Sequence, residues 1–318
     1  MPAMGHKAYA GFAQEVVWGT KVVAGMDFLE FLSDSLQKTI SEKVQQGINA
    51  SRVRTKRSHG AITVGGTMPF EVNAEDVTGL LLKNFLPTEV FSDLTVGPAT
   101  AGRHVFTPGA VLEPGLTIQI GKDVVVLDYF GGRIVSLAFE AAVDDFLKAT
   151  PTFSFKDCDP GIAQSPTYST EPALIFRNGT FTVDGSSVPI ASLSATMVGG
   201  LKIERRQLGS ATILQQAAGM YDISGSFNAY FEDMTLLNKF LNQAPGNLVL
   251  DFLGTPITGT PSTRQLKLEF PTAYLNGSLP QVPGADAEIM LTIPFRAIKE
   301  GSTELVKLTL LNSRATAY

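Results

Sequence analysis

Three histidines, His6, His59 and His104, and one cysteine, Cys158, are the only imidazoles and thiol in a chain of 318 residues. No histidine stands beside a Cys, Asp or Glu at a spacing that would let both grip one metal ion, so all three read as surface or structural side chains. A single thiol builds neither a thiolate zinc site nor an internal disulfide. The carboxylates of Asp144-Asp145 and Asp157-x-Asp159 could present oxygens to calcium. Neither has the full ligand register of a calcium loop, and both read as solvated turns. A glycoside hydrolase needs two facing carboxylates across a cleft, a separation that no linear spacing certifies. There is no Gly-x-Ser-x-Gly elbow, no His-Glu-x-x-His helix and no phosphate-binding loop, because no lysine-bearing helix start follows Gly65-Gly66. The expected catalytic, cofactor-binding and metal-ligating residues are therefore none. Asn49-Ala-Ser51, Asn178-Gly-Thr180 and Asn276-Gly-Ser278 match the glycosylation sequon, yet without a secretion signal they read as turns.

Net charge is −5, unevenly placed. Between Lys38 and His59 stand Lys38, Lys43, Arg52, Arg54, Lys56 and Arg57 against the single acid Glu42, a basic segment on an acidic body. Such a patch can attract phosphate, but it holds no aromatic residue for base stacking. A solvated loop, or a contact with an acidic surface on a neighbouring copy, is the better reading. No run of about 18 apolar residues exists, and the first residues lack the apolar core of a signal peptide, so a protein folded in a cytoplasm and without a membrane partner is expected.

The elements that carry these residues are written twice. Gly60 to Gly66 and Phe70 lead to Glu75-Asp76-Val77-Thr78 and Phe85-Leu86; Gly219 to Gly225 and Tyr230 lead to Glu232-Asp233-Met234-Thr235 and Phe240-Leu241. Gly66 and Gly225 stand 159 apart and Glu75 and Glu232 157 apart, about half the chain, which points to tandem duplication. Short runs rich in Val, Ile, Thr and Phe, punctuated by 30 Gly and 18 Pro, predict a mainly β fold of sandwich or barrel type. Each half carries one helix. Asn73 could cap the first, Glu75-Asp76 suit its positive end, and Val77, Leu80, Leu81 and Phe85 share a face before Pro87. Glu232-Asp233 precede the second, with Met234, Leu237 and Leu241 on its face. Tyr129-Phe-Gly-Gly and Tyr274-Leu-Asn-Gly277 occupy similar places before the closing strands. The expected organisation is an arm at 1–25, a domain at 26–158, a linker at 159–172 and a second domain at 173–318. Residues 41–58 form a long polar loop, either disordered or used.

The order of Glu15-Val-Val-Trp-Gly-Thr20, Phe28-Leu-Glu-Phe-Leu-Ser-Asp-Ser-Leu36, the basic loop ending at Ser58, the Gly60 to Phe70 strand and the Glu75 to Leu86 helix resembles the tail tube proteins of long-tailed bacteriophages that carry two tube domains in one chain. The likeness covers most of 12–155 and recurs more loosely in 174–298. It implies two tandem tail-tube-type β-sandwich or barrel domains, each with a flanking helix and a long hairpin loop, four strands per domain lining a channel that is usually acidic. It also implies a virion tail subunit, non-enzymatic, that forms homotrimeric, pseudo-hexameric rings stacked into a tube. DNA would pass through the lumen without specific binding, and tape-measure, tail-tip and tail-terminator proteins would be the partners. Assembly would take place in the host bacterial cytoplasm. Arg52, Arg54, Lys56 and Arg57, with Lys202, Arg205 and Arg206 from the second half, are the expected inter-ring contacts; the second set is shorter and offset by Glu204. A tail-terminating or baseplate subunit on the same fold is one alternative. A carbohydrate-binding or hydrolytic β-sandwich is another, for which one Trp and seven Tyr are a thin supply of sugar-stacking rings.

Overall fold

The computed structural model describes every residue except 1–3, 49, 76, 233, 278, 280, 282, 283, 286 and 287. The acids Asp76 and Asp233 and the sequon residues Asn49 and Ser278 lie outside the described residues. The first half contains β1 (Ala8–Gln14), β2 (Asp27–Leu29), β3 (Gln37–Val44), β4 (Arg57–Thr67), β5 (Phe70–Glu71), α1 (Thr78–Phe85), β6 (Thr88–Asp93), β7 (Gly102–Thr107), β8 (Leu116–Lys122), β9 (Val126–Ala142), β10 (Lys148–Phe155) and β11 (Asp157–Pro160). The second contains β12 (Gly179–Val183), β13 (Ser186–Ser187), β14 (Ile190–Val198), β15 (Asp222–Tyr230), α2 (Thr235–Leu241), β16 (Pro245–Pro256), β17 (Thr263–Leu275), β18 (Met290–Ala297) and β19 (Lys307–Asn312). The fold is mainly β, as expected.

One long strand in each half serves two sheets. Residues 126–132 of β9 pair with β8 and β11, while residues 133–142 pair with β10 and β14. β17 does the same with β16 and β19, then with β18. The result is an antiparallel sheet in the order β3-β4-β10-β9-β14-β15-β18-β17, four strands from each half, joined at β9 and β14 by seven residue pairs from Ser136↔Val198 to Ala142↔Ser192. Two further sheets, β2-β1-β8-β9-β11 and β13-β12-β16-β17-β19-β7-β6, complete the molecule. β6 and β7 belong to the first half by sequence but close the sheet of the second. A single apolar cluster, including Phe12, Phe70, Phe139, Phe227, Phe270 and Phe295, runs through both halves.

The pairing ladders repeat residue by residue. Gly66 faces Phe153, which faces Ile134; Gly225 faces Phe295, which faces Leu275. Both glycines are needed for close approach: a Cβ on Gly66 would stand 2.4 Å from the Ser35 carbonyl oxygen, and one on Gly225 2.3 Å from that of Ser194. This register makes Arg133, not Tyr129, the counterpart of Tyr274, so the proposed match of Tyr129-Phe-Gly-Gly with Tyr274-Leu-Asn-Gly277 slips by four residues.

The helices also depart from their sequence reading. In α1 the expected face is buried, and so are Thr78, Gly79, Leu82 and Asn84, because the helix is enclosed on nearly every side. Asn73, five residues before the helix begins at Thr78, does not cap it; its Oδ1 accepts from the Glu75 amide. Glu75 is not a helix-end charge either. Its carboxylate takes Arg264 Nε at 2.7 Å and the amide and hydroxyl of Ser313 at 2.9 Å, groups far along the chain that a local pattern cannot reveal. In α2 Leu236 and Leu237 are buried while Met234 and Leu241 are exposed. The stretch read as an N-terminal arm supplies β1, which pairs with β8 over seven residues.

Candidate functional site

Alternation gives five strands of the eight-strand sheet, β10, β9, β14, β15 and β18, one packed and one open face. In β14 Leu193, Ala195 and Met197 are buried, while Ser194, Thr196 and Val198 are exposed. The register continues the open set across the sheet: Thr150 and Thr152 on β10, Ser136 and Ala138 on β9, Ser224, Ser226 and Asn228 on β15, Thr292 on β18. Many of these polar groups bond to one another. Ser194 and Ser226 hydroxyls are 3.2 Å apart, Asn228 Nδ2 donates to Ser192 Oγ at 2.9 Å, and Thr292 Oγ1 donates to Asn228 Oδ1 at 2.6 Å. The charges on these five strands balance, with Lys148 facing Glu140 and Arg296 Nη2 2.9 Å from Asp222 Oδ1. Phosphate is held chiefly by unpaired Lys and Arg, and single-stranded bases by exposed rings. This face offers no free cation between these strands and one exposed ring, Tyr230, at its end. Its chemistry is that of a neutral, self-satisfied surface along which a polyanion finds nothing to grip.

β3 and β4 pair from Gln37↔Gly65 to Val44↔Arg57 and lead into an exposed connection, residues 45–56. Arg57 Nη1 meets Glu42 at 3.2 Å; Arg52, Arg54 and Lys56 have no carboxylate partner among the described residues. Ile48 at the tip is fully exposed and Val53 is 64% exposed. The corresponding connection of the second half, residues 199–221, lies instead against the first half. The Ile62 amide donates to Ala211 O at 2.9 Å, and Ile213 and Gln216 are buried. Arg206 bonds Ala211 O and Thr63 Oγ1 at 2.8 and 3.0 Å, Arg205 bonds Gln215 O, and Lys202 pairs through its backbone with Ala217. Thr63 is six residues along β4 from Arg57, about 20 Å of extended strand. The two expected sets of basic residues are thus not brought together: one is a tip, the other a packed base.

The Glu15-to-Thr20 motif joins three segments. Glu15, 2% exposed, accepts from the amides of Gly19 and Gly131 at 2.7 Å and from Thr117 Oγ1 at 3.0 Å. Burial nevertheless pushes its carboxyl above the ordinary range. Trp18 Nε1 donates to Gly131 O and to Gln216 Oε1, tying the motif to the 199–221 connection, and Lys156 sits over the Trp18 ring. Next to this staple Arg133 is 1% exposed with no hydrogen-bond partner for any guanidinium nitrogen among the described residues, and burial pulls its pKa down to about 10. His104, 0% exposed, is structural: its Nδ1 lies 2.8 Å from Glu89 Oε1. Asp145 pairs with Lys148 and Asp157 with Lys38. Among the described residues no three His, Cys, Asp or Glu gather as a metal would require.

The open face escaped the sequence reading, although the alternation Ser192-Leu-Ser-Ala-Thr-Met-Val198 was its visible signal. Comparison with known proteins matches residues 5–297 to the family model described as phage tail tube protein. No curated protein matches the chain.

Proposed function

The chain belongs to the phage tail tube protein family, a structural component of the virion tail, and from that premise we propose that three copies close into a ring and that rings stack into a hollow tube through which DNA passes. The observation that carries this reading is the neutral hydroxyl face that spans both halves, since a conduit for a polyanion must not hold it. The seam inside the chain supports ring closure. β14 docks on the open edge of β9, whereas its counterpart β3 pairs on one side only, with β4. The same pairing repeated between copies places β3 of one against the β17 side of the next, and six similar four-strand units then surround one axis in a trimer. A heterologous contact along the axis that does not close gives a tube of any length. Tape-measure, tail-tip and terminator proteins would set its ends, with assembly in the host cytoplasm.

Electron microscopy of the purified protein should show hollow stacked rings with threefold or pseudo-sixfold end views. A Ser194→Cys thiol should react with a bulky maleimide polymer in single copies and be shielded in tubes, while Leu208→Cys, fully exposed on the 199–221 connection, is the control for an accessible thiol. Equal reactivity of Ser194→Cys in both states would remove the lining assignment.

A further inference from the structure

We propose that the basic hairpin tip of one copy docks into an acidic groove on a second copy, a groove that lies at the opposite end of the tip's own strand line. The proposal rests on the stacked-ring reading and names the surface that receives each arm. The groove, a cavity of about 200 Å³, is lined by Leu29, Glu30, Phe31, Leu32, Glu71 and Glu171, with Asn73 and Ala173 beside them. No cation lines it. Glu171 is engaged by Arg264 Nη2 at 3.2 Å and Glu71 stands opposite Lys148, whose ammonium is bound by Asp145, while Glu30 has no salt-bridge partner among the described residues. Leu32 is 54% exposed at its rim. The tip offers the complement: Arg52, Arg54 and Lys56 uncompensated, around an Ile48 that touches almost nothing. Opposed potentials of this kind select and orient a partner, and the apolar pair supplies area that water leaves.

Position settles that the partner is another copy. β4 leads away from the tip at Arg57 and β5 ends at Glu71, with β10 beside them from Phe155↔Val64 to Thr152↔Thr67 and again from Ala149↔Phe70 to Lys148↔Glu71. Fourteen residues of extended chain span about 45 Å, so tip and groove of one molecule cannot meet. Two complementary surfaces at opposite ends of one strand line make a head-to-tail contact, which propagates without closing.

The test mixes Ile48→Cys protein with Leu32→Cys protein under mild oxidation. Cys158 is buried and its thiol is pushed up to about 11, so it does not compete. The expected product is a disulfide-linked pair of different variants, absent when Val111→Cys, exposed on the connection between β7 and β8, replaces Leu32→Cys. Adding Glu30→Lys and Glu71→Lys to the Leu32→Cys protein should cut its yield about tenfold, and adding Arg52→Glu and Arg54→Glu to the arm protein should restore it. Equal linkage to Val111→Cys, or no rescue by the exchanged charges, overturns the proposal. Tubes that form without the Ile48–Leu32 link overturn it while leaving the tube reading in place. A protein that stays monomeric and unlinked overturns both.

Discussion

Glu89 shows how one buried carboxylate organises this chain. It is 2% exposed on its side chain and takes His104 Nδ1 at 2.8 Å, Lys83 Nζ at 3.2 Å and the Tyr318 amide at 3.1 Å. Burial is the largest single influence on it and opposes ionisation, but the bonds from His104, Tyr318 and Lys83 together outweigh it and hold the carboxyl below its ordinary 4.5. A carboxyl depressed on folding contributes stability that is present above pH 4.5 and lost as pH falls through the folded value. Glu89→Gln leaves its buried partners without a counter-charge and should cost about 3–5 kcal/mol at pH 7. In urea unfolding the gap between variant and parent should narrow by pH 3; a gap of the same size at both pH values would show that charge at Glu89 contributes nothing.

At the scale of elements, two connections in equivalent places adopt opposite fates. The 45–56 connection projects, while the 199–221 connection is folded down, its neck closed where Gly200, at φ +60°, meets the backbone of Met220 and Gly219. A Cβ on Gly200 would stand 2.2 Å from Met220 O. Gly200→Ala should therefore cost about 1–3 kcal/mol and loosen the connection, so that trypsin cuts sooner after Arg205 and Arg206 while cleavage at Arg52 and Arg54 keeps its parental rate. Unchanged cutting at Arg205 would mean that the neck does not hold the loop down. The sequence shows the glycines and the basic residues of both connections but not which one lies flat, because that depends on Ala211 and Gln216 finding β4 and Gly131 across the fold. For the same reason the strand runs and both helices were legible from period and punctuation, whereas the partner of Glu75 was not. β1 and the β6–β7 hairpin also escaped: Tyr9 to Ala13 are all buried, so no alternation marks a face of β1, and β7 finds its partner β19 in the other half.

The whole molecule is laced twice. β14 of the second half completes a sheet on β9, and β7 of the first half completes a sheet on β19, from Gly102↔Asn312 to Phe106↔Leu308. Tyr318 seals the second lacing, packed at 4.9 Å from the His104 ring and against Gly79, with its hydroxyl bonded by Asn312. Halves exchanged in this way should unfold together, as one calorimetric transition, and Tyr318→Ala should lower that transition by about 3–5 kcal/mol of stability without splitting it. Two resolved transitions in the parent protein would show that the halves are independent. The β9–β14 seam has a mechanical side as well. Were rings to close as proposed and fill under pressure, wall tension would run around the circumference and pull neighbouring strands sideways. The seven residue pairs of the seam would then carry that hoop stress side by side instead of opening one after another from an end, so the wall would yield as a unit or hold.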